Sequence, residues 1–417
     1  MNSLMEKRHG LKQCLLVALA LIITLVLTPA AVLGQTNSTI PAGTVQSQPA
    51  ALVLSTQLPQ EPQNQNREAR LTLAVVGDIM LSRTVDKVIQ RESWQVPFSL
   101  VPESIKTADI AFANLECPAS FRGKPYPGKP EEVTFRANPA SLFGLNYAGF
   151  DVVSLANNHT NDYGPFALLD TIASLNQLGI ASCGAGTSKH EARKPVILER
   201  NGIRLAFLAY AEPIWSVVEA EDGPPEKAGV AVLREADIIA DIQQATKLAD
   251  GVLVSLHWGE EFHQVPRESD RALARRLIDA GALAILGHHP HVLQGAEWYR
   301  QGIILYSMGN FIFDMKDDAT YDTAVAIINI HKIIPGLVPY RKMLTTLKIE
   351  RLVYEPIHII RGTYGPGILT EQDKKRIQNL IVSRLQQLNT TSYIRTDGCV
   401  EVRCPVLSAS RQARIGP

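Results

Sequence analysis

Ile285-Leu286-Gly287-His288-His289-Pro290-His291-Val292-Leu293-Gln294 is the stretch on which the fold turns. Three of the chain's ten histidines fall within four positions, directly after an apolar run. An apolar run that stops at glycine reads as a buried strand, and the Pro-containing segment after it as a tight loop over the strand's end. Neutral imidazole is a common metal ligand, and α/β proteins place their chemistry at the carboxyl ends of strands. His289 and His291 are two apart, so an extended backbone projects them to one side, where one metal or two adjacent metals can use both. Taken alone, the cluster also fits a His-rich solvated loop. What decides between the two is what the rest of the chain brings beside it.

The same pattern, an apolar run followed by a polar residue, recurs on either side. Strand-like runs stand at 71–76, 110–113, 152–155, 205–209, 252–256, 283–286 and 303–306. Amphipathic helical patterns lie between several of them. One covers 166–178 and stops at Gly179; another covers 271–280 and stops at Gly281, with Leu273, Leu277 and Ile278 forming its apolar stripe. Near-continuous apolar strands alternating with helices predict an α/β fold with strands covered on both faces. Beyond about residue 323 the texture changes. Residues 324–330 and 347–354 read as paired antiparallel strands and 372–388 as a closing helix. The predicted organisation is a targeting segment at 1–34, a linker at 35–69, a core at 70–320, C-terminal strands and helix at 321–390, and an irregular tail at 391–417.

Lys7, Arg8 and Lys12 precede an apolar stretch from Cys14 to Leu33, followed by small residues around Gly34. A cleaved secretory signal and an uncleaved membrane anchor both fit, and either predicts an exported protein. The Gln-, Ser-, Thr- and Pro-rich residues after it suit a flexible tether. Lys+Arg and Asp+Glu balance at 41 each, so no basic excess points to nucleic acid. Cys399 and Cys404 are placed for a local disulfide in an exported chain.

Polar, metal-competent residues close successive strands. Asp78 follows the first. Asn114 and Glu116 follow the second, Asn157, Asn158 and His159 the third, and His257 the run at 252–256. The carboxyl ends of parallel strands share one edge, so these groups converge on the His loop. The ligand set is Asp78, Glu116, Asn158, His257, His289 and His291. Its mixture of oxygen and nitrogen suits Mn²⁺, Fe or Zn²⁺ better than Ca²⁺ or Mg²⁺. Six ligands are too many for one tetrahedral zinc and fit two ions bridged by a carboxylate, about 3.5–4 Å apart. Asn310 is a candidate to orient a histidine ligand, or a turn residue. Glu260, Glu261 and His263 line the pocket or belong to a solvated loop. Lys124, Lys129 and Arg136 read as rim residues of a solvated loop, with steering of an anionic substrate as the alternative.

The segments Gly77-Asp78-Ile79-Met80-Leu81, Asn114-Leu115-Glu116, Asn157-Asn158-His159 with Asp162 and Gly164, His257-Trp258-Gly259-Glu260-Glu261, His289-Pro290-His291-Val292-Leu293-Gln294 and Ser307-Met308-Gly309-Asn310-Phe311 resemble the CapA-type capsule (poly-γ-glutamate) biosynthesis family. That family belongs to the calcineurin-like metallophosphoesterase superfamily. The resemblance implies a four-layer α/β/β/α sandwich with a dinuclear centre. It implies Asp78 and His291 on the first metal, Glu116 as the bridge, and Asn158, His257 and His289 on the second. His159 is implied as general acid or electrostatic partner of the substrate, and His288 as an extra residue supporting the ligands. Met80 departs from the wider superfamily, which has a histidine there, and so thins the first metal site. The implied substrate is an anionic polymer or phosphorylated compound, and the implied partners are membrane subunits of a capsule-synthesis complex. Two functional classes follow: a metal-dependent hydrolase, or a non-catalytic polymer-binding subunit.

Overall fold

The computed structural model describes residues 67–334 and 346–404. The expected targeting segment and linker residues 35–66 lie outside the described residues. Among the described residues, no helix is long and apolar enough to cross a membrane.

The larger sheet begins with β1 (Arg67–Ile79), which leads to helix α1 (Arg83–Arg91), then β2 (Ile110–Leu115), α2 (Phe143–Ala148), β3 (Val152–Ser154), α3 (Pro165–Gln177) and β4 (Ala181–Cys183). The smaller sheet follows with β5 (Val196–Arg200), β6 (Ile203–Ala211), α4 (Glu235–Ala245), β7 (Gly251–His257), α5 (Glu268–Asp279), β8 (Ala284–His288), β9 (Ala296–Tyr299) and β10 (Gly302–Leu305). The chain then returns to the larger sheet as β11 (Asn310–Ile312), β12 (Asp322–Ile334) and β13 (Thr346–His358). Helix α6 (Glu371–Gln387), β14 (Ser392–Ile394) and β15 (Val400–Val402) complete it. The strand order is β14-β15-β13-β12-β1-β2-β3-β4 in the larger sheet, with β11 also paired to β1, and β9-β10-β8-β7-β6-β5 in the smaller.

Side chains alternate across a strand, so each sheet divides its apolar residues between two faces. Leu73, Val75, Phe112 and Val152 of the larger sheet meet Leu205, Phe207, Leu253 and Leu286 of the smaller in one buried core. At its centre the Phe112 and Phe207 rings stack 5.8 Å apart. The opposite face of the larger sheet, with Ala74, Val76, Ala111 and Val153, packs on Val85 of α1, Leu145 of α2 and Leu168 of α3. The outer face of the smaller sheet, with Leu208, Val254, Leu256 and Ile285, packs on Ile238 and Ile242 of α4 and Ala274 and Leu277 of α5. The result is the expected α/β/β/α sandwich. Helix α6 adds Ile377, Ile381 and Leu385 to the core between the sheets.

One short segment joins the sheets at the edge where the parallel strands end. After β10, residues 306–309 leave the smaller sheet and continue as β11 beside β1. Met308 N–H donates to the Gly287 carbonyl (3.1 Å), and Asp78 N–H donates to the Gly309 carbonyl (2.9 Å). Both contacts require glycine. A Cβ at Gly77 would overlap the Gly309 oxygen, and one at Gly287 would overlap the Tyr306 oxygen.

Three expectations need correction. The linker does not reach residue 69, because β1 starts at Arg67 and pairs with β12 from that residue on. The tail from 391 is not wholly irregular: β14 and β15 pair antiparallel, and β15 adds to β13. Cys399 and Cys404 are not joined by a disulfide. Strand β15 lies between them, and an extended chain advances about 3.3 Å per residue, beyond the roughly 4.4–6.8 Å Cα separation that a disulfide spans.

Candidate metal centre

Ladder register sets the heights of the functional side chains. Asp78 of β1 pairs with Asn114 of β2 on one side and Asn310 of β11 on the other. Ser154 of β3 pairs with Asn114, which brings the loop carrying Asn157, Asn158 and His159 to the same level. In the smaller sheet, His257 of β7 pairs with His288 of β8. The two sheets end at one edge, and Asp78, Glu116, His257, His288, His289 and His291 are all buried there.

Asn114 ties the oxygen ligands together. Its Nδ2 donates to Asp78 Oδ1 (2.8 Å) and lies 3.3 Å from Glu116 Oε2 and 3.4 Å from His257 Nδ1. Asn157 Nδ2 donates to Asn114 Oδ1 (3.1 Å), and Asn157 Oδ1 accepts from the His159 N–H (3.1 Å). Asn158 Oδ1 lies 2.8 Å from His257 Nε2, joining the two sheets through a pair of candidate ligands. Ligand atoms of Asp78, Glu116 and His257 lie within 4.8 Å of one another, and so do those of Glu261, His289 and His291. Five of the six ligands expected from the sequence thus fall in two groups, with Glu261 added to one of them, and Asn158 touches the other through His257.

Lys129 is not a rim residue. Its side chain is 2% exposed and pairs with Asp162. Its Nζ also donates to the Asn158 carbonyl (3.0 Å) and Ser216 Oγ (2.8 Å). Those three acceptors use all three ammonium protons. His159 Nδ1, 2.8 Å from Asp162 Oδ2, is therefore the donor to that carboxylate in the neutral ring, leaving a lone pair on Nε2. The Phe135 ring stacks on His159 at 3.9 Å, and the Phe135 N–H donates to Asp162 Oδ2 (2.7 Å). No periodicity marks Lys129 in the sequence, because it lies in an irregular Pro- and Gly-rich loop whose path depends on tertiary contacts.

On the smaller-sheet side, His289 and His291 hold left-handed backbone angles, φ 97° and 58°, which cost about 1–3 kcal/mol each for non-glycine residues. His291 Nδ1 lies 2.9 Å from Asn310 Oδ1, which gives Asn310 its orienting role. Phe313 packs edge-on to His291 (4.9 Å), and Arg83 sits over both Phe135 and Phe313 while pairing with Asp314. The Arg83 guanidinium thus supports the two rings that pack against His159 and His291. Met80 is turned away into the core, its sulfur accepting from the Ser82 N–H. Of the expected pocket residues, Glu260 is exposed and paired with His263 at 2.6 Å.

The electrostatics fit a divalent cation. Burial pushes the Glu116 carboxyl well above its usual range, reinforced by the charges of Asp78 and Glu261. Burial also pushes Asp78 upward, but His288, His291 and Asn114 outweigh it and hold that carboxyl below its usual range. Burial drives His159 down to about 4 against the pull of Asp162, and His289 down to about 3. It likewise drives His257 well below its usual value. These imidazoles are neutral lone-pair donors at physiological pH. Among the described residues, Glu116 Oε1 is buried without a hydrogen-bond partner, 3.7 Å from His291 Nε2 and 3.8 Å from His159 Nε2, and His289 Nδ1 is buried and unpaired as well. Leaving such atoms unsatisfied costs about 1–3 kcal/mol each, which coordination of a cation removes.

The layers and the edge cluster define a class: an α/β/β/α sandwich with a candidate metal centre at the shared edge of its sheets. Residues 72–315 match the family described as "Bacterial capsule synthesis protein PGA_cap", and the chain belongs to that family. It is 34% identical over 268 residues to "Capsule biosynthesis protein CapA" of Bacillus anthracis, covering 63% of this chain and 65% of that one. It is also 34% identical over 263 residues to "PGA biosynthesis protein CapA" of Bacillus subtilis, covering 63% and 68%. The chain thus spans about two thirds of the length of these relatives. A crystal structure of a putative 5'-nucleotidase from Staphylococcus aureus aligns with TM-score 0.40 and 13% identity, covering 75% of this chain and 58% of that one. Nothing further rests on that likeness.

Proposed function

We propose that this is an exported accessory protein of capsule or poly-γ-glutamate synthesis, with a metal-dependent, hydrolase-type site acting on an anionic polymer or a phosphorylated substrate. The observation that carries the reading is the buried, unpaired Glu116 Oε1, set among the imidazoles of His159 and His291 and beside Asp78. Asp78, Glu116, Asn158, His257, His289 and His291 would hold ions of Mn, Fe or Zn. When bound, such ions polarise an anionic substrate and lower the pKa of a coordinated water.

The chain's own residues do the rest. Asn114 fixes the carboxylates, Asn310 fixes His291, and the Lys129–Asp162 pair fixes His159 from behind. His159 is the residue for the role the resemblance implies, general acid or electrostatic partner of the substrate, with its Nε2 facing Glu116 Oε1. The implied partners are membrane subunits of a capsule-synthesis complex, with the N-terminal segment as tether.

A second reading, a non-catalytic polymer-binding subunit, is favoured by Met80, which leaves Asp78 alone on the β1 loop. Purified chain incubated with Mn²⁺ and a generic phosphodiester separates the two. Turnover that disappears in His159→Ala and in His257→Ala supports the hydrolase. A folded, metal-loaded and inert protein supports the binding subunit.

A further inference from the structure

We propose that Glu261 is a metal ligand that closes the centre on its solvent side. This rests on the reading of the edge cluster as a metal centre, and it adds a donor outside the six-residue set.

Two adjacent glutamates follow β7, and their surroundings separate them. Glu260 points to solvent and pairs with exposed His263. Glu261 brings a carboxylate oxygen to within 4.8 Å of ligand atoms of His289 and His291, both buried. His289 Nδ1, in that trio, has no hydrogen-bond partner among the described residues.

The loop that carries Glu261 is tied to the histidine loop on either side of Pro290 and His291. Phe262 N–H donates to the Pro290 carbonyl (2.8 Å), and Gln294 Nε2 donates to the His263 carbonyl (2.8 Å). Phe262 itself holds φ 65°, a left-handed turn that a non-glycine residue adopts only where its surroundings enforce it. Its ring centre lies 6.4 Å from that of His291. The loop that carries Glu261 is therefore held beside the two imidazoles by one backbone and one side-chain hydrogen bond.

Meanwhile β1 contributes no second donor after Asp78, because the Met80 sulfur is engaged with Ser82. A carboxylate from the opposite sheet compensates for that missing donor, and Glu261 is the only exposed member of the two ligand groups among the described residues.

The test is metal binding, independent of turnover. Full-length protein is stripped with a chelator and titrated with Mn²⁺ by calorimetry. Bound metal is then counted by elemental mass spectrometry after desalting. Wild type should hold about two equivalents. Glu261→Gln should lose one equivalent or weaken its weakest site by at least about tenfold, while Glu260→Gln behaves as wild type. Circular dichroism confirms that each variant is folded. A folded Glu261→Gln with wild-type stoichiometry and affinity overturns the proposal and leaves the metal centre standing. Wild-type protein that holds no metal overturns both.

Discussion

The two sheets contribute to the edge cluster in different ways. The larger sheet supplies oxygen: Asp78, Asn114, Glu116, Asn157 and Asn158, on strand ends and short loops locked by a continuous side-chain amide network. The smaller sheet supplies mainly nitrogen, from His257, His288, His289 and His291, and two of those four residues sit on left-handed backbone. The oxygen half is ordered by its own hydrogen bonds. The nitrogen half is ordered by what it leans on, namely Asn310, Phe313 and the bonds to the loop after β7. The centre therefore draws its rigidity from one sheet and its strain from the other.

That contrast can be broken at several levels. The largest effect should come from the stack that both halves share: Phe112→Ala should destabilise the fold by about 3–5 kcal/mol, read from the urea midpoint. Lys129→Met leaves Asp162 buried without its cation and should cost about 3 kcal/mol or more. It should also disturb Asn158 and His159 while sparing the smaller-sheet histidines, a pattern that histidine NMR resolves. Asn310→Ala acts the other way. It removes the acceptor that orients His291 and should weaken Mn²⁺ binding about 10–100-fold in calorimetry with little change in stability.

The last effect is absent at neutral pH. His159 and His289 titrate lower in the folded chain, about 4 and about 3, than in the unfolded chain, about 6.5. The unfolded state therefore takes up protons first as the solution is acidified. Their contribution to the stability of metal-free protein is complete above pH 6.5 and is lost progressively down to pH 4 and below, which acid titration followed by circular dichroism would record.

The oxygen half was legible in the sequence because each of its ligands closes an apolar run, and parallel strands bring such positions to one edge whatever the loops do. The histidines were legible by density alone. Lys129, Arg83 and the choice between Glu260 and Glu261 were not. Each depends on the path of a loop, and a loop's path is set by contacts such as Phe262 with Pro290 that leave no periodic trace. The short strands β14 and β15 escaped for a related reason: three residues are too few to show alternation.

The segment from Tyr306 to Asn310 has a mechanical consequence. It runs from one sheet to the other beneath the pocket, and its backbone grips Gly287 on one side and Asp78 on the other. Pulling the sheets apart would stretch this five-residue strap before it widened the cleft. The base of the edge cluster is therefore a fixed point between the sheets. Variants that change what the cluster admits are to be sought in the exposed loop that carries Glu261 rather than in this strap.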